Sequence, residues 1–215
     1  MARPATRYVC QACGSVTSKW MGQCADCSEW NTIQQEAAPV VSVFSAKHSL
    51  SAGGARIDMT GLNDDVALPE RLSTGIAELD RALGGIPGGG GLVAGSAVLI
   101  GGDPGIGKST LLLQAIDDLS ARLPVLYVTG EESGAQIAMR SRRLGLAGNK
   151  VRVLAEINLE KILATLDAEQ PSFCVIDSIQ TMYSEQLSSA PGSVAQVREC
   201  ASHLTRRAKA SGCAM

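Results

Sequence analysis

Aromatic residues make up only 3% of the sequence, so whatever core it builds is aliphatic and alanine-rich. No charge excess is present either. The formal net charge is −2, which excludes a global attraction to DNA or membranes and confines any nucleic-acid contact to a local patch. No run approaches the roughly 18–20 apolar residues of a membrane span. The opening residues, MARPATRYVC, lack the apolar stretch of a secretory signal, so a cytoplasmic protein with no membrane partner is expected. The seven cysteines lack the even count of a disulfide framework. Cys174 lies in an apolar run and reads as a small buried hydrophobe.

What is present divides by composition into three parts. Residues 1–33 hold a cysteine cluster. Residues 34–70 are mixed and loop-like, and read as a linker with room for one short strand. Over residues 71–215, apolar strands alternate with helical patterns. Ala97–Ile100 (AVLI) reads as a short buried strand. Lys108–Arg122 follows as a helix with Leu112, Ala115, Ile116 and Leu119 at helical spacing, stopped by Pro124. VLYVT, VRVL and FCVID are further strands, with a helix over Gln136–Leu144 and another capped by Asn158. Ser193 opens a long helix with Val194, Val197, Ala201 and Leu204 on one face. Successive strand–helix units predict an α/β domain with a mostly parallel sheet and helices on both sides. The segment GGIPGGGG (Gly84–Gly91) is too glycine-rich for a fixed element and reads as a mobile loop.

Gly102, Asp103, Pro104, Gly105, Ile106, Gly107, Lys108 and Ser109 fit G-x-x-x-x-G-K-[ST], with Thr110 next in line. Glycines let backbone N–H groups curl around an anion, and a helix opening at Lys108 turns its positive end toward it. ATP is the expected ligand, with Lys108 on its β- and γ-phosphates and the Ser109 hydroxyl on Mg²⁺. Asp177 ends the strand FCVID, where strand carboxyl ends face the ligand crevice, so it is a second candidate for Mg²⁺. Its alternative is a helix cap, a role open to Ser178 as well. Glu131 and Glu132 follow VLYVT. One of them, Glu131 by preference, is placed to orient the attacking water; a solvated first helical turn is the plainer alternative.

Cys10, Cys13, Cys24 and Cys27 are spaced C-x2-C-x10-C-x2-C. Two such knuckles present four thiolates to one ion, the closed tetrahedral pattern of structural Zn²⁺. A redox reading of C-x-x-C would need a flanking βαβ unit, which is absent around it. So short a segment cannot build a stable core alone, so the metal supplies its folding energy. Trp20 and Trp30 are expected to pack on the knuckles, the alternative being an exposed contact surface. Arg140, Arg142, Arg143, Lys150 and Arg152 fall in a stretch with no acid between them. They are candidates for contact with DNA phosphates, or else solvate an exposed helix or pair with a neighbouring subunit. With just two Phe and three Tyr, no aromatic stacking platform is visible, and contact would be mainly with the backbone.

The ordered series RLSTGIAELDRALGG, LIGGDPGIGKSTLLLQ, VTGEESGAQI, VIDSIQTMYS and APGSVAQVRE, behind a four-cysteine finger ending in WNT, closely resembles the bacterial RadA/Sms family of RecA-related DNA repair proteins. The resemblance implies a RecA-like P-loop ATPase core behind a rubredoxin-like zinc ribbon. It implies ATP hydrolysis during recombination, branch migration, binding of single-stranded and branched DNA, hexameric rings and a recombinase partner such as RecA. It makes residues 102–110 the ATP site, Glu131 the water-positioning acid, Asp177 the Mg²⁺ partner and the four clustered cysteines the zinc ligands. The family continues beyond SGCAM with a further core strand, a Lys-Asn-Arg-Phe-Gly motif and a Lon-protease-like domain, so the core is expected to be C-terminally truncated. The glycine segment before the phosphate loop is longer than the family's. Two rival readings are a zinc-finger partner-binding module without catalysis and a small-molecule P-loop kinase.

Overall fold

The computed structural model describes residues 7–36, 61, 71–85, 89–147 and 150–215. Most of the expected linker, and residues 86–88 of the glycine-rich segment, lie outside the described residues.

The N-terminal unit is a three-stranded antiparallel ribbon. Strand β1 (Arg7–Cys10) pairs with β2 (Val16–Thr17) on one side and β3 (Ile33–Glu36) on the other. Strand β3 thus runs into the segment read as linker. The ribbon buries little beyond Val9, Cys10, Cys24 and Ile33. Trp20 and Trp30 do not pack on the knuckles as expected; they are 60% and 66% exposed. The knuckle interior is filled by sulfurs and Ile33, so both indoles lie outside it and converge above Gly22, each within 4 Å of where a Cβ would stand.

Strand β4 (Arg71–Leu72) and β5 (Leu92–Val93) form an antiparallel pair around helix α1 (Ala77–Ala82). The STG…ELD element folds into one knot. Asp80 accepts hydrogen bonds from Ser73 Oγ at 2.7 Å, Thr74 N at 2.8 Å and Thr74 Oγ1 at 2.7 Å. Gly91 closes the pair at φ 104°, where a Cβ would run into the Leu72 carbonyl.

The main sheet is parallel, in the order β7 (Val151–Ala155), β6 (Val125–Thr129), β8 (Phe173–Asp177). All five residues of β6 are buried, as a central strand requires. Alternate side chains feed two cores. Val125, Tyr127, Phe173 and Val175 pack with Leu113, Ile116 and Leu119 of α2 (Lys108–Ser120) and Ile137 of α3 (Gly134–Arg143). Leu126, Val128 and Cys174 pack with Leu159, Ile162 and Leu166 of α4 (Leu159–Glu169) and Cys200 and Leu204 of α5 (Val194–Ser211). The expected α/β layering, with helices on both faces of a parallel sheet, is therefore present. Asn158 and Ser193 cap α4 and α5 through their side chains, as the sequence predicts.

Two further expectations need correction. Residues 97–100 do not form a strand. Beyond β8 the hydrogen bonds continue to Ala214 (Cys174 N to Ala214 O, 2.9 Å), and from Met215 to Ser96 and Val98 (2.8 Å each). Residues 96–98 therefore lie parallel to the sheet but hold only that pairing; Leu99 is 84% exposed. A strand is defined by its ladder, and hydropathy cannot supply the partner. The buried line of α5 is also rotated: Gln196, Cys200, Leu204 and Ala208 face inward, and of the expected stripe only Leu204 is buried. Gln196 heads that line because the preceding loop satisfies it. Its Nε2 lies 3.2, 3.2 and 2.9 Å from the carbonyls of Ser184, Leu187 and Ser189, and its Oε1 accepts from Ser184 N at 2.8 Å.

Candidate nucleotide and metal sites

The phosphate-loop sequence opens α2 without any side-chain cap. Gly107, the N-cap, has φ 105°, and Gly102 and Gly105 are also in positive-φ conformations at 156° and 81°. The loop, residues 101–107, is exposed. The first N–H groups of α2 thus face outward unclaimed by a side chain, the donor set an anion needs. Lys108 Nζ donates to the carbonyls of Gly102 at 2.7 Å and Asp103 at 2.9 Å, which holds a cation over the curled loop. These residues fit a Mg²⁺–triphosphate: fixed N–H dipoles, one ammonium and the hydroxyl of Ser109.

Because residues 96–98, β8 and β6 run parallel, all three deliver their carboxyl ends to one edge of the sheet. The phosphate loop, Asp177 and Glu131 follow those ends. Thr129 and Asp177 are register partners, and Gly130 N donates to Asp177 O at 3.0 Å. Asp177 lies on the same face of β8 as Val175, the face covered by α2. Its Oδ2 accepts from Tyr127 OH at 2.5 Å. Burial, and then the hydrogen bond to Asp177, push the Tyr127 phenol well above its ordinary pKa, so it keeps its proton and donates it to Asp177.

The structure separates the two glutamates. Glu131 is exposed, and its Oε1 accepts from Ser178 Oγ at 3.1 Å. Glu132 turns inward and forms an ion pair with Arg140. Its N–H donates to Thr129 Oγ1 at 3.0 Å, and its carbonyl accepts from the same hydroxyl at 3.1 Å. Ser133 then caps α3 in a reciprocal box with Gln136. Arg140, expected among DNA contacts, is therefore engaged inside the fold. Arg142 and Arg143 are exposed at the end of α3, while Arg152 pairs with Glu169. Sequence reasoning passed over Gly130, Tyr127 and Thr181. A Cβ at Gly130 would collide with the Thr181 hydroxyl and stand 2.8 Å from Ile157 Cγ2. Thr181 Oγ1 donates to Ser178 O at 2.8 Å, so this contact braces the turn that carries Ser178. The only signal in the sequence was a glycine directly after a strand.

In the ribbon, Cys10, Cys13, Cys24 and Cys27 bring their sulfurs within 4.8 Å of one another. Cys10–Cys27 and Cys13–Cys24 are each 3.6 Å apart. A tetrahedral ion with Zn–S of about 2.3 Å needs sulfurs roughly 3.8 Å apart, so the set fits zinc. The knuckles are built alike. Gly14 N donates to Cys10 O at 2.8 Å and Ser28 N to Cys24 O at 2.9 Å. Thr32 Oγ1 lies 3.2 Å from Cys10 Sγ and, against burial, brings that thiol down to about 6. All four positions are protein ligands, so the site is structural.

A phosphate-binding loop at the carboxyl edge of a parallel sheet, behind a closed four-thiolate ribbon, defines a P-loop ATPase fold with a zinc-bound appendage. The model of the AAA domain matches residues 86–215, and that of the rubredoxin metal binding domain matches residues 8–35. The chain belongs to the AAA domain family. Along its whole length it is also similar to DNA repair protein RadA. It is 50% identical to the protein of that name from Pseudomonas aeruginosa over 215 residues, 100% of this chain and 46% of that one. It is 46% identical to that of Escherichia coli over 216 residues, 99% of this chain and 46% of that one. The Aquifex aeolicus protein is 46% identical over 209 residues, 97% of this chain and 45% of its own. The chain thus spans about half the length of these relatives. Among the described residues no helix is long and apolar enough to cross a membrane.

Proposed function

We propose that this chain carries the ATP-hydrolysing part of a protein that acts on DNA in recombinational repair. The observation that supports it best is the convergence, on one sheet edge, of an uncapped helix N-terminus, a lysine and two acids with different surroundings. Backbone N–H groups within residues 102–110, other than the proline at 104, hold the phosphates, and Lys108 neutralises the β- and γ-oxygens. Ser109 and Asp177 hold Mg²⁺, which when bound offsets charge on the phosphate oxygens. Glu131, steadied by Ser178, orients water for in-line attack on the γ-phosphorus, while Glu132 is held away by Arg140.

The DNA-repair assignment draws on the name of the relatives. In this reading Arg142 and Arg143 meet DNA phosphates, and the longer protein forms a hexameric ring that binds single-stranded and branched DNA, drives branch migration and works beside a RecA-type recombinase. The zinc ribbon is a structural module of the same protein. The test is ATP turnover with and without single-stranded DNA, for the chain and for a form extended to the length of its relatives, each against Lys108→Ala. DNA-stimulated turnover that Lys108→Ala abolishes is expected. Equal turnover in wild type and Lys108→Ala overturns the enzyme, and turnover that ignores DNA in the extended form overturns the repair role.

A further inference from the structure

We propose that Tyr127 is a positioning residue for the metal site, locking Asp177 so that one carboxylate oxygen is committed to the fold and the other is presented to Mg²⁺. This rests on the reading of Asp177 as the metal partner. Strand β6 is buried throughout, and Tyr127 places a hydroxyl at 0% exposure in its centre. A buried hydroxyl needs a partner, and the partner chosen decides what the residue is for. Here the partner is no backbone carbonyl. It is the side chain of Asp177, two residues beyond Tyr127's register partner Val175 on the same face. A diagonal neighbour across two strands is within reach of an aromatic ring and of few other side chains.

The 2.5 Å separation is that of a charge-assisted O–H···O bond, which constrains the acceptor in direction as well as distance. Oδ2 thereby carries a fixed donor, which favours one torsion of the carboxylate about its Cβ–Cγ bond. Oδ1 remains as the ligand oxygen. The charged neighbours Glu132 and Arg140 form an ion pair with each other, and their opposite charges act on Tyr127 in opposite directions. Phenylalanine would fill the same space and keep the ring's packing, so the hydroxyl's role can be isolated.

The experiment compares wild type, Tyr127→Phe and Asp177→Asn by counting free Mn²⁺ through its EPR signal, in the presence of a non-hydrolysable ATP analogue. ATP turnover against Mg²⁺ concentration is measured in parallel. Loss of a partner that orients a metal ligand weakens metal binding by roughly 10-fold or more. Tyr127→Phe is therefore expected to raise the Mn²⁺ midpoint by about that factor, with analogue affinity in EDTA within about 2-fold of wild type. Turnover should recover toward wild type at saturating Mg²⁺. A merely structural role lowers the fraction of active protein and leaves the midpoint in place. If Asp177→Asn moves the midpoint and Tyr127→Phe does not, the positioning role is wrong while the site reading stands. If neither moves it, Asp177 is not the metal partner, and both fall.

Discussion

Gly130 joins β6 to the acidic pair, and its missing side chain sets the geometry of the whole site edge. Its φ is not in the left-handed region, so backbone strain is not at issue; the constraint is space. In Gly130→Ala the new Cβ would overlap the Thr181 hydroxyl, with Thr181 Cβ at 2.9 Å and Ile157 Cγ2 at 2.8 Å. Rotating the hydroxyl away breaks its 2.8 Å bond to Ser178 O and still leaves Thr181 Cβ too close. The turn Ile179–Thr181 must therefore move, taking Ser178 with it. Overpacking costs about 1–3 kcal/mol and the lost hydrogen bond about 1, so about 2–4 kcal/mol is expected in all. That corresponds to a fall in Tm of roughly 4–16 °C, read by circular dichroism. Displacing the Ser178–Glu131 contact by up to an ångström should lower ATP turnover on the order of 100-fold. Thr181→Gly in the same chain removes two of the three clashing atoms and leaves only Ile157 Cγ2. The double variant should recover at least about 1 kcal/mol relative to the sum of the single changes. A Gly130→Ala protein with unchanged Tm and unchanged turnover would refute this account of the strand end.

Gln196→Ala strips the loop 184–189 of its shared donor and of the acceptor for Ser184 N, in a site with no access to water. A loss of about 2–4 kcal/mol is expected in urea unfolding, with faster proteolysis between Ser184 and Ser189; an unchanged midpoint refutes it. Asp80 makes stability depend on acid. Burial pulls its pKa up, but the hydrogen bonds from Ser73 and Thr74 and the charge of Arg122 outweigh that and hold it below the ordinary carboxylate value. A lowered folded pKa gives stability that is present above about pH 4 and lost as pH falls further. Asp80→Asn should therefore lower Tm at neutral pH and flatten the decline in Tm below about pH 4; parallel wild-type and variant curves would contradict this.

How far the sequence could be read follows from what each feature depends on. The phosphate loop, the cysteine knuckles and the caps at Asn158 and Ser193 are local devices, in which a few residues satisfy each other's hydrogen bonds or share one ion, so spacing alone reveals them. The strands β6 and β8 were legible because burial demands a near-continuous apolar run, whereas β7, at the edge of the described sheet with Arg152 exposed, showed through its alternating Val151 and Val153. Residues 97–100 have the same apolar composition and did not become a strand, because a ladder is a property of two segments and, among the described residues, the segment's hydrogen bonds go to Met215 alone. The inward face of α5 was misread for a related reason: Gln196 is buried by four groups of a loop that precedes it, and hydropathy assigns it to water. The acids show the same division. That two glutamates follow β6 is visible in sequence, but their difference lies in Arg140 reaching Glu132 across one face of α3 and Ser178 reaching Glu131 from the neighbouring strand's end. Tyr127 is the extreme case. In sequence it is one more large residue in an apolar strand, and only the register that sets Val175 beside it brings Asp177 within reach of its hydroxyl. Chemistry carried within a segment can be read from that segment; chemistry created between segments appears only when the register is known.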